Sequence, residues 1–362
     1  MKNNFSFFLL LFVFIAVAQP PAGYYNTATG TGYALKTQLA TIITKNYLDQ
    51  TYQGLYNTYT TSDIDLFYEN DGSVLDIYTE KPIGSECQFT YDTGGGRDDG
   101  TLGNNECERY NREHLIPQSV FASATPMYSD AHFVLPSDKH VNAQRGDLPF
   151  GKVNVANWTS MNGSKRGSNL NSGYSAGYVG TVFEPIDEFK GDVARCLLYF
   201  ATRYEDVVSG YNFTMFNNTS TQVFTDTFKN ILLTWNAQDP VSSREVRRNN
   251  AIYSRQKNRN PYIDNNSYVA KIWGSPLGTS TYEMASKVSV FPNPTNSRAL
   301  NIQSESSLDT IELITINGQL IQQIKNPVLQ NNLYKMDNLI QGFYFLKLTS
   351  RGLSITKKVI VN

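Results

Sequence analysis

The sequence predicts an α+β protein in two folded units, a mainly helical first domain followed by a small all-β sandwich. Three observations carry this expectation. The chain has 362 residues, more than one hydrophobic core usually organises. Apolar residues recur at helical spacing in the first part, and near Ser286 the texture changes to short runs of β-formers separated by turn residues. Charge divides at the same place: residues 19–287 hold 23 Lys and Arg against 28 Asp and Glu, a balance of −5, whereas 288–362 hold 7 against 4, or +3. With 40% apolar and 17% charged residues, the composition is that of a globular chain rather than a disordered one.

Taken in order, Lys2 precedes an almost unbroken apolar run over residues 5–17, and Ala16-Val17-Ala18 supplies small residues for cleavage. Residues 1–18 are therefore expected to be a signal peptide, with the mature chain starting at Gln19. The run is shorter than the roughly 20 residues that span a bilayer, and no second one follows, so no membrane span is expected after cleavage. Leu35, Leu39, Ile42 and Ile43 mark an amphipathic helix over 34–48. A loop-rich stretch follows, with Gly94-Gly95-Gly96 and several Asp-Gly pairs. Leu197, Phe200 and Ala201 mark a helix over 193–204, and Phe224, Phe228, Ile231, Leu232 and Trp235 a third. A fourth is expected from Ser242, which has capping-box spacing to Glu245, with Pro240 closing off the helix before it. Beyond residue 285 the expected strands are 288–291, 299–302, 310–316, 319–324 and 343–348. Asn317-Gly318 supplies a hairpin turn between two of them.

Export permits disulfides. Of three cysteines, Cys87 and Cys107 flank the glycine- and aspartate-rich loop and are expected to form a local bridge, whereas Cys196 sits on an apolar helix face as a small core residue. No close Cys or His pair offers a zinc site. The formal charge of −1 argues against a protein that coats nucleic acid, and much less against an enzyme that touches a few phosphates.

Residues capable of hydrolytic chemistry are concentrated in one stretch. All three histidines, His114, His132 and His140, fall within 27 residues. His114 lies in Tyr110-Asn111-Arg112-Glu113-His114-Leu115-Ile116-Pro117-Gln118-Ser119, and His132 in Ser129-Asp130-Ala131-His132-Phe133-Val134-Leu135-Pro136, with Val141-Asn142-Ala143-Gln144-Arg145 close behind. A neutral imidazole can take a proton from water near neutral pH, and a carboxylate with an amide oxygen can hold a hard cation.

These motifs resemble the endonuclease I family of secreted bacterial nucleases. The resemblance continues through Pro149-Phe150-Gly151, Gly191-Asp192-Val193-Ala194-Arg195 and Asn258-Arg259-Asn260-Pro261-Tyr262-Ile263-Asp264, and spans most of residues 23–275. It implies an embedded ββα-metal motif and phosphodiester hydrolysis of DNA and/or RNA with little sequence preference. It implies His114 as the general base and Glu113 and Asn142 as ligands of one Mg²⁺, or another hard cation such as Mn²⁺ or Ca²⁺, with products ending in 5′-phosphate and 3′-hydroxyl. Neighbours on a strand point to opposite faces, so β-structure should end or bulge at Glu113-His114 if both serve one site.

The remaining site residues have competing roles. Arg145 either contacts phosphate or braces the motif by pairing with a carboxylate; Arg112 and Arg109 are equally open. Asp130 and His132 are expected to support the site by hydrogen bonds rather than by touching substrate, and His140 to lie at the surface. Arg244, Arg247, Arg248, Arg255, Lys257 and Arg259, opposed only by Glu245, could track a nucleic-acid backbone or form a solvated helix face. Gly94-Gly95-Gly96-Arg97 lacks the ending of a phosphate-binding loop, and Asp98-Asp99-Gly100 is too short for an EF-hand.

The tail resembles the C-terminal sorting domain of type IX secretion cargo, through Phe291-Pro292-Asn293-Pro294, Gly342-Phe343-Tyr344 and Lys357-Lys358-Val359-Ile360-Val361. That implies export by the secretion machinery to the outside or the cell surface. An Ig-like adhesion or carbohydrate-binding module is the alternative for the same strands. The domains are then 1–18 signal peptide, 19–285 nuclease and 286–362 sorting domain, in a chain expected to act as a monomer. The rival reading of the whole is an inactive, surface-attached binding protein on the same fold. A substitution at Glu113, His114 or Asn142 would have pointed to it, and none is present.

Overall fold

The computed structural model describes residues 20–274, 288–305, 307–350 and 353–362. The expected signal peptide, its cleavage site and the junction near Ser286 lie outside the described residues. The chain divides into two compact units, Met1–Gly274 and Ser275–Asn362.

In the first unit, α1 (Gly32–Thr44) and α2 (Leu55–Ser62) precede a long irregular stretch. Next come β1 (Tyr110–His114), β2 (Val134–Asp138) and α3 (Lys139–Arg145), then β3 (Val153–Thr159), β4 (Lys165–Asn169) and β5 (Thr181–Glu184). The unit ends with α4 (Lys190–Arg203), α5 (Asp226–Gln238), α6 (Ser243–Gln256), α7 (Pro261–Asp264) and α8 (Ser267–Trp273). Strands β1 and β2 form an antiparallel pair, and β3-β4-β5 an antiparallel sheet. The unit is therefore mixed α+β.

The expected helices form where their apolar stripes find a core. Leu35, Leu39 and Ile43 of α1 and Phe228, Ile231, Leu232 and Trp235 of α5 are buried in one cluster with α4. At α6 the capping box is complete: Ser242 Oγ accepts from Glu245 N, and the Glu245 carboxylate accepts from Ser242 N. Helix α4 is buried along its whole length, charged residues included. Each charge is matched: Lys190 with Glu184, Asp192 with Arg244, Arg195 with Glu245, and Arg203 with Asp130. Unmatched, such burial would cost several kcal/mol, ~3–5 for removal of one partner. Gly191 is small for a direct reason, since a Cβ there would lie 2.1 Å from the Asp239 carbonyl oxygen.

The basic run at 244–259 turns inward. Arg244, Arg248 and Arg259 are buried in ion pairs with Asp192, Asp63 and Asp264. Arg247 donates to the Thr61 carbonyl and Arg255 to Thr58 Oγ1, which fastens α6 to α2. Of the six cations only Lys257 is exposed, donating to the Ser254 carbonyl of α6 itself; the other five are matched to groups on other elements, so the segment is neither a solvated face nor a continuous phosphate track.

Cys87 and Cys107 are disulfide-bonded, and Cys196 is free and buried. The bridge closes a loop with a sequence separation of 20, which for chain entropy alone corresponds to about 3 kcal/mol. The Cys87→Ala/Cys107→Ala variant is expected to lose about that much in urea unfolding. Wild type unfolded without reductant should titrate as one thiol; three would remove the bridge.

The second unit contains β6 (Val288–Phe291), β7 (Leu300–Ser304), β8 (Thr310–Thr315), β9 (Leu320–Lys325), β10 (Leu333–Met336), β11 (Gly342–Ser350) and β12 (Leu353–Val361). They form two antiparallel sheets, ordered β10-β7-β6 and β12-β11-β8-β9. Both contribute to one core, Leu300 and Ile302 from the first and Ile311, Leu313, Leu346 and Val359 from the second. Asn317-Gly318 turns the chain between β8 and β9, with Gly318 at φ 84°. Strands β10 and β12 complete the sheets beyond the five expected.

Candidate active site

Strand β1 runs antiparallel to β2 with Glu113 opposite Leu135 and His114 opposite Val134, and α3 begins immediately after β2. Asp138 makes that junction abrupt. Its Oδ1 caps α3 by accepting from His140 N and Val141 N, and its Oδ2 accepts from Cys107 N, next to the disulfide. Its own N–H donates to Asp76. The short helix is thereby fixed against the strand pair, with Asn142 in its middle and Arg145 in its last turn.

Strand β1 ends at His114, and there Glu113, His114 and Asn142 line one cleft of about 260 Å³, with Asn111, Arg112 and Arg145. Glu113 is 2% exposed. Its Oε1 accepts from the Tyr78 hydroxyl at 2.9 Å and pairs with Arg145 Nη1 at 3.2 Å, and among the described residues no donor engages Oε2. Burial pushes this carboxyl up to about 7, against the lowering effects of Arg145 and the Tyr78 hydroxyl. The Asn142 Nδ2 donates to Asn111 Oδ1 at 2.8 Å, which leaves the Asn142 amide oxygen as the group open to a ligand.

His114 is 5% exposed, and its Nε2 lies 3.1 Å from the Tyr128 carbonyl oxygen. A carbonyl only accepts, so Nε2 carries the proton and Nδ1 is the basic nitrogen. The ring stacks on Tyr128 with centroids 5.5 Å apart and planes 8° apart. Burial pushes its pKa down to about 4, with Arg112 and Arg145 acting in the same sense and the Tyr128 contact opposing, so the imidazole is neutral near pH 7.

Arg145 is 1% exposed, and both of its terminal nitrogens are engaged in bracing. Besides Glu113, it donates from Nη1 to the His114 carbonyl and from Nη2 to the Leu115 carbonyl. Of the two roles the sequence left open, this geometry is the structural one, and a phosphate contact by Arg145 would require giving it up. Arg112 is different: half-buried at the cleft, it lies 3.5 Å above the Tyr52 ring and donates through Nη1 to the Tyr52 carbonyl. Arg109 pairs with Asp99, outside the cleft.

Asp130 and His132 stand behind the site. Asp130 accepts from the Tyr199 and Tyr204 hydroxyls and from Gln256 Nε2, and pairs with Arg203. Burial pushes the Asp130 carboxyl up, but Arg203, His132 and these donors outweigh it and hold the group below its usual range. His132 is buried, with Nε2 3.1 Å from the Asn258 carbonyl oxygen. Both residues tie the approach to β2, which includes Tyr128, to α4 and to the end of α6. His140 is half-buried, its ring 6.2 Å from that of Trp158, rather than at the surface.

Three contributors were not among the expected residues. Asn111 was findable, because it sits two positions before Glu113 and side chains at that spacing share a strand face. Tyr78 comes from the irregular stretch 35 residues earlier in the chain, where no periodicity places it. Tyr128 stacks on His114 but fixes its tautomer through the carbonyl, which leaves no side-chain signature.

Two family models and two curated relatives match the chain. Residues 31–267 match the family model described as Endonuclease I, and residues 289–362 match that of the secretion system C-terminal sorting domain. An extracellular ribonuclease of Bacillus amyloliquefaciens is 34% identical over 266 residues, covering 71% of this chain and 81% of that protein. One from Bacillus subtilis (strain 168) is 33% identical over 256 residues, covering 69% and 78%. The tail marks the protein for export, and no described helix is long and apolar enough to cross a membrane. The chain belongs to the endonuclease I family, as a secreted nuclease with a C-terminal sorting domain.

Proposed function

We propose that this nuclease hydrolyses phosphodiester bonds of RNA and DNA with little sequence preference, using water deprotonated by His114 and one hard divalent cation held by Glu113 and Asn142. The observation that carries the reading is the meeting, in one cleft, of a neutral imidazole with a free Nδ1 and two oxygen donors whose other bonds are already made. On this reading β1, β2 and α3 form the ββα-metal unit, residues 19–285 the catalytic domain and 286–362 the exported tail.

The donor set fits a hard cation. One carboxylate and one amide oxygen, with the remaining positions left to water, suit Mg²⁺ better than zinc, and Mn²⁺ or Ca²⁺ are the near alternatives. When bound, the cation supplies Lewis-acid stabilisation of the charge that develops on the phosphate and the leaving oxygen. The protein does the rest. His114 Nδ1 takes the proton of a water as its oxygen bonds to phosphorus and the bond from phosphorus to the 3′ oxygen breaks. The Tyr128 carbonyl holds Nε2–H, which fixes the tautomer and orients the imidazolium as it forms. Arg145 holds Glu113 in place, and Arg112 at the cleft is the side chain best placed to meet a substrate phosphate. No step uses a 2′-hydroxyl, so DNA is a substrate alongside RNA, the polymer named for both Bacillus relatives.

The purified mature protein is expected to cut supercoiled plasmid and structured RNA in Mg²⁺ and to stop in EDTA, with activity restored by excess Mg²⁺. Undiminished cutting in EDTA would remove the cation from the mechanism. Both polymers left intact in Mg²⁺, Mn²⁺ and Ca²⁺ would remove the hydrolysis.

A further inference from the structure

Asp65, Glu69, Glu80 and Glu86 come together in the irregular stretch between α2 and β1, with one carboxylate oxygen of each within 4.8 Å of the others. None of the four lines the cleft of Glu113 and Asn142. Acidic groups often crowd without a ligand, so the crowding decides nothing. The informative member is Glu80. It is 0% exposed, and both of its carboxylate oxygens are buried with no N–H or hydroxyl donor, their neighbours being three other carboxylates of which Glu86 is the close partner. Native structures rarely leave a buried polar group unmatched, and a buried carboxylate least of all. No Lys or Arg forms an ion pair with any of the four among the described residues. Asp65, also 0% exposed, is held rigidly by the backbone N–H groups of Phe67, Tyr68 and Asn70.

We infer that these four carboxylates form a second cation site, separate from the active site, that takes Ca²⁺. The donor set selects the ion. Four carboxylates can offer up to about eight oxygens in an irregular arrangement, which matches the 6–8 ligands of Ca²⁺ and not the strict octahedron of Mg²⁺. No nitrogen or sulfur is present to favour zinc. A secreted protein meets Ca²⁺ outside the cell, where modular sites bind it at about 10⁻⁴–10⁻³ M.

The site has a structural task. Glu80 lies two residues beyond Tyr78, whose hydroxyl bonds Glu113, and four beyond Asp76, which accepts from Asp138 N at the start of α3. Asn162 Nδ2 also donates to the carbonyls of Ile77 and Glu80. A cation joining Asp65 to Glu80 fastens both ends of the segment 65–80, and with it the position of Tyr78 against Glu113.

The test uses the full-length mature protein, stripped with EDTA and dialysed, and reads Ca²⁺ binding by calorimetry and by thermal unfolding. With Mg²⁺ in excess to occupy the active site, millimolar Ca²⁺ is expected to raise Tm in wild type and equally in a Glu113→Gln/Asn142→Ala background. Glu80→Gln should lose the Ca²⁺ response. Should Glu80→Gln fail to fold, Glu69→Gln, at an exposed position, is expected to weaken Ca²⁺ binding by about tenfold, since affinity follows ligand charge. A wild type indifferent to Ca²⁺ overturns the inference, as does a response that persists in Glu80→Gln and disappears with Glu113 and Asn142. Stabilisation by acid without any by Ca²⁺ would identify a shared proton and equally overturn it.

Discussion

His114→Ala is expected to lower kcat on RNA and on plasmid DNA by roughly 10²- to 10⁴-fold, the contribution of a positioned general base. In free-energy terms the change raises the barrier by about 3–5 kcal/mol. The size follows from how the ring is held. The bond from Nε2 to the Tyr128 carbonyl and the stack on Tyr128 leave only Nδ1 for chemistry, and burial keeps that nitrogen unprotonated near neutrality. Truncation also leaves a cavity beneath the cleft, so the assay belongs well below the variant's own Tm. His114→Gln separates the two effects, because its amide can donate to the Tyr128 carbonyl while offering no basic nitrogen. It should melt closer to wild type and be as inactive as His114→Ala. Partial recovery of the alanine variant by added imidazole would identify the missing group as a nitrogen base. A folded variant cutting within about tenfold of wild type would take His114 out of that role.

Much of the fold was legible because its signals are local. The capping box at Ser242 and Glu245, the stripe of Leu35, Leu39 and Ile43, and the Asn317-Gly318 turn each specify structure within a few residues, and each forms. The three-stranded sheet of β3 to β5 was not foreseen. Strand β3 is exposed along most of its length and bulged twice against β4, which erases the alternation that marks a half-buried strand. Helix α4 was legible as a helix but not as a fully buried one. Its Lys, Asp and Arg residues resemble a polar face until their partners, 6 to 73 residues away in the chain, are known. The same ambiguity affected the basic run at 244–259, whose acidic partners Asp63, Asp192 and Asp264 come from three separate elements or loops. At the candidate site, motif residues in β1 and α3 could be named from the sequence, whereas Tyr78 and the Tyr128 carbonyl required the fold. A sequence displays side chains in order; it does not display which backbone carbonyl will fix a tautomer.

Arg145→Met is expected to cost about 3–5 kcal/mol in urea unfolding, the penalty for removing one partner of a buried ion pair. Three groups each lose a donor at once: the Glu113 carboxylate, which keeps only the Tyr78 hydroxyl, and the carbonyls of His114 and Leu115. Glu113 is already pushed up to about 7 by burial with Arg145 beside it, so without that cation the carboxylate is further disfavoured. Activity should fall with stability, since on the proposed mechanism the displaced carboxylate helps to hold the cation. Arg145→Lys keeps the charge but not the flat fork that serves three acceptors, and should recover only part of the loss. The outcome separates the two roles that the sequence alone left equal. A phosphate-binding arginine would be dispensable for folding, and its removal would lower the slope of log K against log salt by about one contact. A bracing arginine leaves the slope of the surviving folded fraction unchanged and moves the unfolding midpoint instead. Arg112 is the matched control: half-buried and stacked on Tyr52 at the cleft, it should change the salt dependence when replaced by Met, with a smaller effect on unfolding.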